Sequence, residues 1–153
     1  MRIFRLCKDR HSAGVLSGDG GLNADGRWHN QGRRIVYCAS SETLAILELR
    51  VHIGNFLPHD PFVMHAIDVP DTLIETLVPA LLPAGWNAVP HSGISQALGD
   101  DWLRQRRSAA LRVPSIHSTT EFNVLLNPLH DQRASFTLGQ AWPYRFDPRL
   151  FAN

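Results

Sequence analysis

The chain has 153 residues, 44% hydrophobic and 19% charged, with a formal net charge of +1. That suits one globular domain with its own apolar core and excludes a disordered chain. The balanced charge provides no global field to draw in nucleic acid or an anionic membrane.

The opening segment MRIFRLCKDRHS carries charges where a signal peptide has its apolar run, and no apolar run reaches the length of a membrane span. Cys7 and Cys38 form no CxxC motif, so reduced thiols in a bacterial-type cytoplasm are expected. Residues 17–26, SGDGGLNADG, read as loop. The G-x-G there has no strand before it and no helix after it, which excludes a dinucleotide-binding βαβ unit or a P-loop. Residues 34–40, RIVYCAS, predict a strand with Ile35, Tyr37 and Ala39 on one face and Val36 and Cys38 on the other.

A helix is predicted over residues 41–52, capped by Ser40 or Ser41, with Glu42 in the first turn. Residues 61–69 and 72–78 predict strands. Proline and glycine then punctuate PALLPAGWNAVPHSG, and residues 92–107 predict a helix weakened by Gly99. ALRVP, EFNVLL and ASFTL complete the strand set. Strands outnumber helices without βαβ alternation, so the expected class is α+β: one compact domain over residues 1–153, with central mixed or antiparallel sheets flanked by helices.

Glu48 is the most informative position. On a helix turning about 100° per residue it projects between Leu44 and Ala45, with Leu47 and Val51 nearby. Ile46 and Leu49 cover much of the other side, so the helix is apolar nearly all round. A carboxylate there is costly unless paired or hydrogen-bonded. Two readings stand: a core-edge Glu paired with Arg50 or a neighbouring strand, or a functional carboxylate.

In DGRWHNQG, Arg27 sits on a glycine-rich loop, a setting that suits bidentate capture of phosphate, although by itself the residue reads first as a surface Arg stacked on Trp28. Tyr37 in mid-strand reads as a core tyrosine with a satisfied hydroxyl. Ser115, after Pro114, reads by itself as a turn residue. The eight histidines show no HExxH or other metal-ligand spacing, so no metal is expected. No GxSxG elbow is present. RQRRS is a solvated basic helix end or a contact for a partner protein. From Arg112 to His130, the run RVPSIHSTTEFNVLLNPLH places Ser115, Thr119, Thr120, Glu121 and Asn123 between apolar strand residues. A turn does not need so many, and a pocket wall for a polar nucleotide is expected.

Three blocks in register resemble the RES-domain family, the toxin partners of Xre–RES toxin–antitoxin pairs. They are SGDGGLNADGRWHNQGRRIVYCASSETLAILELRVH, then LPAGWNAVP with ALGDDWL, then LRVPSIHSTTEFNVLLNPLH. The resemblance spans nearly the whole chain. It carries Arg27, Tyr37, Glu48 and Ser115 over as active-site positions, with Asn123, Asn127 and His130 in the family's final motif. Where the family usually has a second glycine before the Arg and an Asn after the Trp, this chain has Asp25 and His29.

The resemblance implies a fold similar to ADP-ribosyltransferases of the diphtheria-toxin kind, and the breakdown of NAD as substrate, without a prosthetic group. Glu48 would stabilise positive charge on the ribose as the nicotinamide bond breaks. Arg27 would hold the pyrophosphate, Tyr37 would pack on the nicotinamide end, and Ser115 would hydrogen-bond nicotinamide or ribose, with Asn123 beside them in the NAD pocket. Water or phosphate would accept the ADP-ribose. Transfer to a protein, or a catalytically silent module that only engages its antitoxin, are the rival functions. The implied partner is an Xre-type helix-turn-helix antitoxin, with a homodimer left open. DNA binding by this chain ranks last, since no helix-turn-helix is evident.

Overall fold

The computed structural model describes residues 1–54 and 56–151. Seven strands form one mixed sheet: β1 (Arg2–Lys8), β2 (Val36–Ala39), β3 (Phe62–Asp68), β4 (Ile74–Thr76), β5 (Ala110–Pro114), β6 (Phe122–Leu126) and β7 (Thr137–Tyr144). Their order is β4-β5-β6-β2-β1-β3-β7. β4 and β5 run parallel, and the other neighbours are antiparallel. Among the described residues, three α-helices accompany the sheet: α1 (Gly20–Asn23), α2 (Glu42–Arg50) and α3 (Gly93–Gln105). The α+β expectation holds. Among the described residues, no helix is long and apolar enough to cross a membrane.

The side-chain alternation of the strands divides the core between the two faces of the sheet. Val36 and Cys38 join Ile3, Ile67, Val124 and Leu126 in one buried cluster. On the opposite face, Ile35, Leu111, Val113 and Leu125 pack with Trp28 and Trp102, while Leu6, Ala39 and Met64 pack with Leu44 and Ala45 of α2. The second face therefore carries two apolar clusters, and a cavity opens where they part.

Several expectations need correcting. No strand is assigned above to the N-terminus, yet β1 lies inside the sheet and pairs with β3 at seven positions. Its charges break the apolar pattern, and each has a partner: Arg2 pairs with Asp68, Lys8 with Asp60, and Arg5 donates to the Tyr37 carbonyl. The strand expected over residues 72–78 shrinks to β4, because Asp71–Leu73 forms a 3₁₀ turn. ASFTL is displaced too. Asp131–Ser135 is a 3₁₀ helix, and the strand runs on from Thr137 to Tyr144. A single helical turn, α1, does follow the G-x-G, inside the segment read as loop. The helix around Glu48 is less enclosed than its sequence suggests, since Leu47 and Val51 are exposed.

Gly99 does more than weaken α3. A Cβ there would collide with the Trp28 carbonyl, so the glycine lets the helix lie against the loop that carries Arg27. Gly99→Ala should therefore destabilise by about 1–3 kcal/mol through overpacking, despite the better helix propensity of alanine. A denaturation midpoint equal to or above that of the wild type would show that the loop yields.

Candidate active site

α2 begins where Ser41 accepts a hydrogen bond from the Leu44 amide at 3.1 Å, and the same hydroxyl donates to Glu121. Leu44 and Ala45 seat the helix on the sheet. One turn after Leu44, Glu48 reaches the edge of that contact with its side chain 26% exposed. Its Oε1 accepts from Asn123 Nδ2 at 2.6 Å and from Ser115 Oγ at 2.9 Å. Its Oε2 lies 3.7 Å from His117 Nε2. Arg50 instead donates to the carbonyls of Leu150 and Gly54, so the pairing of Glu48 with Arg50 is absent. One carboxylate oxygen is thus fixed by two donors, and the other accepts no hydrogen bond among the described residues.

Glu48 lines a cavity of about 500 Å³ together with Arg5, Arg27, Tyr37, His91 and Asn123. Arg27 Nη1 donates to the carbonyls of Trp86 and Ala88, both at 3.0 Å. Partial burial lowers its pKa, and the charge of Glu48 opposes that shift. Trp28 does not stack on Arg27; it stacks on Trp86, with ring centroids 6.0 Å apart. The Tyr37 hydroxyl accepts from the Trp28 amide at 3.1 Å and shares a 2.8 Å hydrogen bond with His29 Nδ1. Burial pushes the phenol pKa up, so Tyr37 stays neutral and offers its ring as wall. A Cβ at Gly26 would fall 2.9 Å from that hydroxyl, which explains the glycine beside Arg27.

Both departures from the family pattern have structural work here. Asp25 accepts from His91 at 3.1 Å and from Gln96 at 3.2 Å, tying the Arg27 loop to the segment before α3 and to α3 itself. His29 bonds Tyr37 and the Ala24 carbonyl, and burial lowers its pKa below the ordinary 6.5. Below 6.5 the unfolded chain therefore binds the proton more readily than the folded one. The contribution of His29 is present above that pH and is lost as pH falls toward the folded value. Unfolding midpoints measured from pH 7.5 downward should decline less in His29→Gln than in the wild type; parallel curves would remove His29 from the acid sensitivity.

The polar run after β5 serves two cavities. Asn123 and His117 line the first, while Ser115, Thr119, Thr120 and Glu121 line a second. Asn127 and His130 line neither. Asn127 Oδ1 accepts from the Leu129 amide and His130 Nδ1 from the Gln132 amide, so both shape the turn after β6. The sequence reading misses Arg5, which lines the cavity and whose buried Nε has no partner. Its signal is a charge in the inward alternation Ile3–Arg5–Cys7, between two buried residues. His117 and His91 are missed as well, because histidine is searched there only for metal spacing. Among the described residues, no group of three or more His, Cys, Asp or Glu side chains could hold a metal ion.

The RES domain family matches over residues 2–147. A protein of Photorhabdus laumondii named Toxin Res is 38% identical over 84% of this chain and 83% of its own length. The Prs ADP-ribosylating toxin of a Sphingobium species is 37% identical over 97% of this chain and 95% of its own. The fold is similar to that in the crystal structure of the M. tuberculosis MbcT–MbcA toxin–antitoxin complex. There the TM-score is 0.79 at 18% identity, covering 98% of this chain and 86% of the other. Fold, relatives and matched length agree: this chain belongs to the RES domain family.

Proposed function

We propose that the protein is the toxin of a toxin–antitoxin pair and that it cleaves the nicotinamide–ribose bond of NAD at the first cavity. The observation that carries this reading is Glu48, with one oxygen held by Asn123 and Ser115 and the other free at the cavity. Breaking that bond makes the ribose positive, and a preorganised carboxylate at low dielectric stabilises developing charge without reorganising. The rest of the lining fits a dinucleotide. Arg5 and Arg27 supply cations for two phosphates, Tyr37 supplies ring surface, and the volume lies in the usual range for ligand sites, about 300–1,000 Å³. Ser115 donates its hydroxyl hydrogen bond to Glu48 and accepts one from the His117 amide, so its first task is to orient the carboxylate, with any contact to substrate made through its remaining lone pair. The acceptor in this reading is water or phosphate.

Purified protein freed of antitoxin should consume NAD and release nicotinamide, with EDTA making no difference. Loss of turnover in EDTA, restored by a divalent ion, would overturn this mechanism. A second reading, transfer to a protein side chain, is favoured by the name of the Sphingobium relative, an ADP-ribosylating toxin. Protein-bound ADP-ribose formed in place of free ADP-ribose would decide for it. The structural likeness to a toxin–antitoxin complex supports an antitoxin as partner. Co-expression of the cognate helix-turn-helix protein should restore growth and yield a complex with no NAD turnover. Persistent turnover in that complex would separate binding from inhibition.

A further inference from the structure

The loop after β5 divides two cavities. On its far side lies a space of about 830 Å³, walled by Thr76, Trp86 and Arg112 and by the hydroxyls of Ser118, Thr119 and Thr120. Pro114, Ile116 and His117 line both cavities. Of these three, His117 alone has a side chain that can exchange a proton. Its backbone amide is anchored by Ser115 Oγ at 3.0 Å, and its side chain is 24% exposed. Neither ring nitrogen makes a hydrogen bond to protein among the described residues; Glu48 Oε2 lies 3.7 Å from its Nε2.

A hydroxyl acceptor must lose its proton as its oxygen bonds to ribose C1′. Glu48 is poorly placed to take that proton, since two donors hold one oxygen and its negative charge is needed at the ribose. We infer that His117 is the general base of the acceptor step, and that the second cavity is the subsite of a hydroxyl nucleophile. This rests on reading the first cavity as the NAD site. The hydroxyl has two sources, solvent water or a seryl side chain.

The step balances as follows. The C1′–nitrogen bond breaks with its electron pair going to the pyridinium nitrogen, so nicotinamide leaves neutral. An acceptor lone pair forms the C1′–oxygen bond, and the hydroxyl proton passes to the His117 imidazole and then to solvent. Positive charge next to Glu48 moves from the ribose to the imidazolium, so the carboxylate is paired before and after capture. Phosphate dianion and azide carry no proton that must be removed, so they do not need His117.

The test uses His117→Gln, which keeps polar reach but cannot serve as a base. In water, formation of ADP-ribose should fall by about 10²-fold, the lower end for general-base catalysis. With azide added, the variant should form ADP-ribosyl azide, and its ratio of azide to water product should rise above that of wild type by a similar factor. An unchanged ratio, or equal losses in water and azide, would remove His117 as base. Wild-type protein that released no nicotinamide would sink the NAD reading itself, which is a different failure. N-acetylserinamide probes the second cavity and distinguishes the two hydroxyl sources. Its ADP-riboside should form alongside ADP-ribose, and Thr120→Trp, which fills that space, should lower the ratio of serine to water product. Absence of the riboside, or a ratio that the tryptophan leaves unchanged, would take the second cavity out of the reaction.

Discussion

Replacing Glu48 by Gln should lower kcat for NAD cleavage about 10²–10³-fold, on the order of 3–4 kcal/mol, with little change in NAD affinity. Gln keeps the size of Glu. Its amide oxygen can still accept from Asn123 and Ser115, so the side chain has reason to stay in place. The amide nitrogen then faces the cavity where Oε2 stood, offering a donor in place of a negative charge. The ground-state ribose carries much less positive charge than the transition state, so binding is spared and turnover is not. A Glu that only satisfied the edge of the core would behave differently. Losing its charge would cost stability and leave turnover per folded molecule intact. Melting temperature, NAD affinity and turnover measured on one preparation separate these outcomes. A variant that melts early but turns over normally would end the catalytic role of Glu48.

The parts of the fold legible in the sequence are those set by local chemistry. The Ser41 cap and the acidic first turn locate α2, and the alternation around Tyr37 sorts β2 onto its two faces. β1 is hidden because its charges find partners in other elements: Asp68 and Asp60 from around β3, and the Tyr37 carbonyl from β2. β7 is hidden for another reason. It is one of the two edge strands, mostly exposed, and it tolerates Gly139 and Pro143, which argue against a strand in the interior of a sheet. The candidate site shows the same limit. Glu48 stands out as a carboxylate on an apolar helix, but its partners Ser115 and Asn123 lie 67 and 75 residues away. Only the family resemblance brings them together at the level of sequence. Arg5 and His117 are drawn in by sheet order and by a loop shared between cavities, neither of which has a local pattern.

Arg27→Lys should raise KM for NAD about 10- to 100-fold, the loss expected of a hydrogen bond to a charged group at about 1.5–3 kcal/mol, while kcat falls less. Arg27 has two tasks to reconcile. Its Nη1 already holds the Trp86 and Ala88 carbonyls, which leaves the rest of the guanidinium fork for an anion in the cavity. A lysine ammonium is a point charge on a flexible stem and cannot bridge two carbonyls and a phosphate with the same planar geometry. A merely structural strut would also raise KM, by loosening the segment before α3, so the substrate must separate the two. Nicotinamide riboside has the scissile bond but no phosphate. If Arg27 binds the pyrophosphate, Arg27→Lys should depress kcat/KM for NAD and leave the riboside nearly untouched. Equal losses on both would make Arg27 a strut alone. The dinucleotide phosphates would then fall to Arg5, because Arg33 and Arg34 line neither cavity and lie beside Asp100 and Asp19.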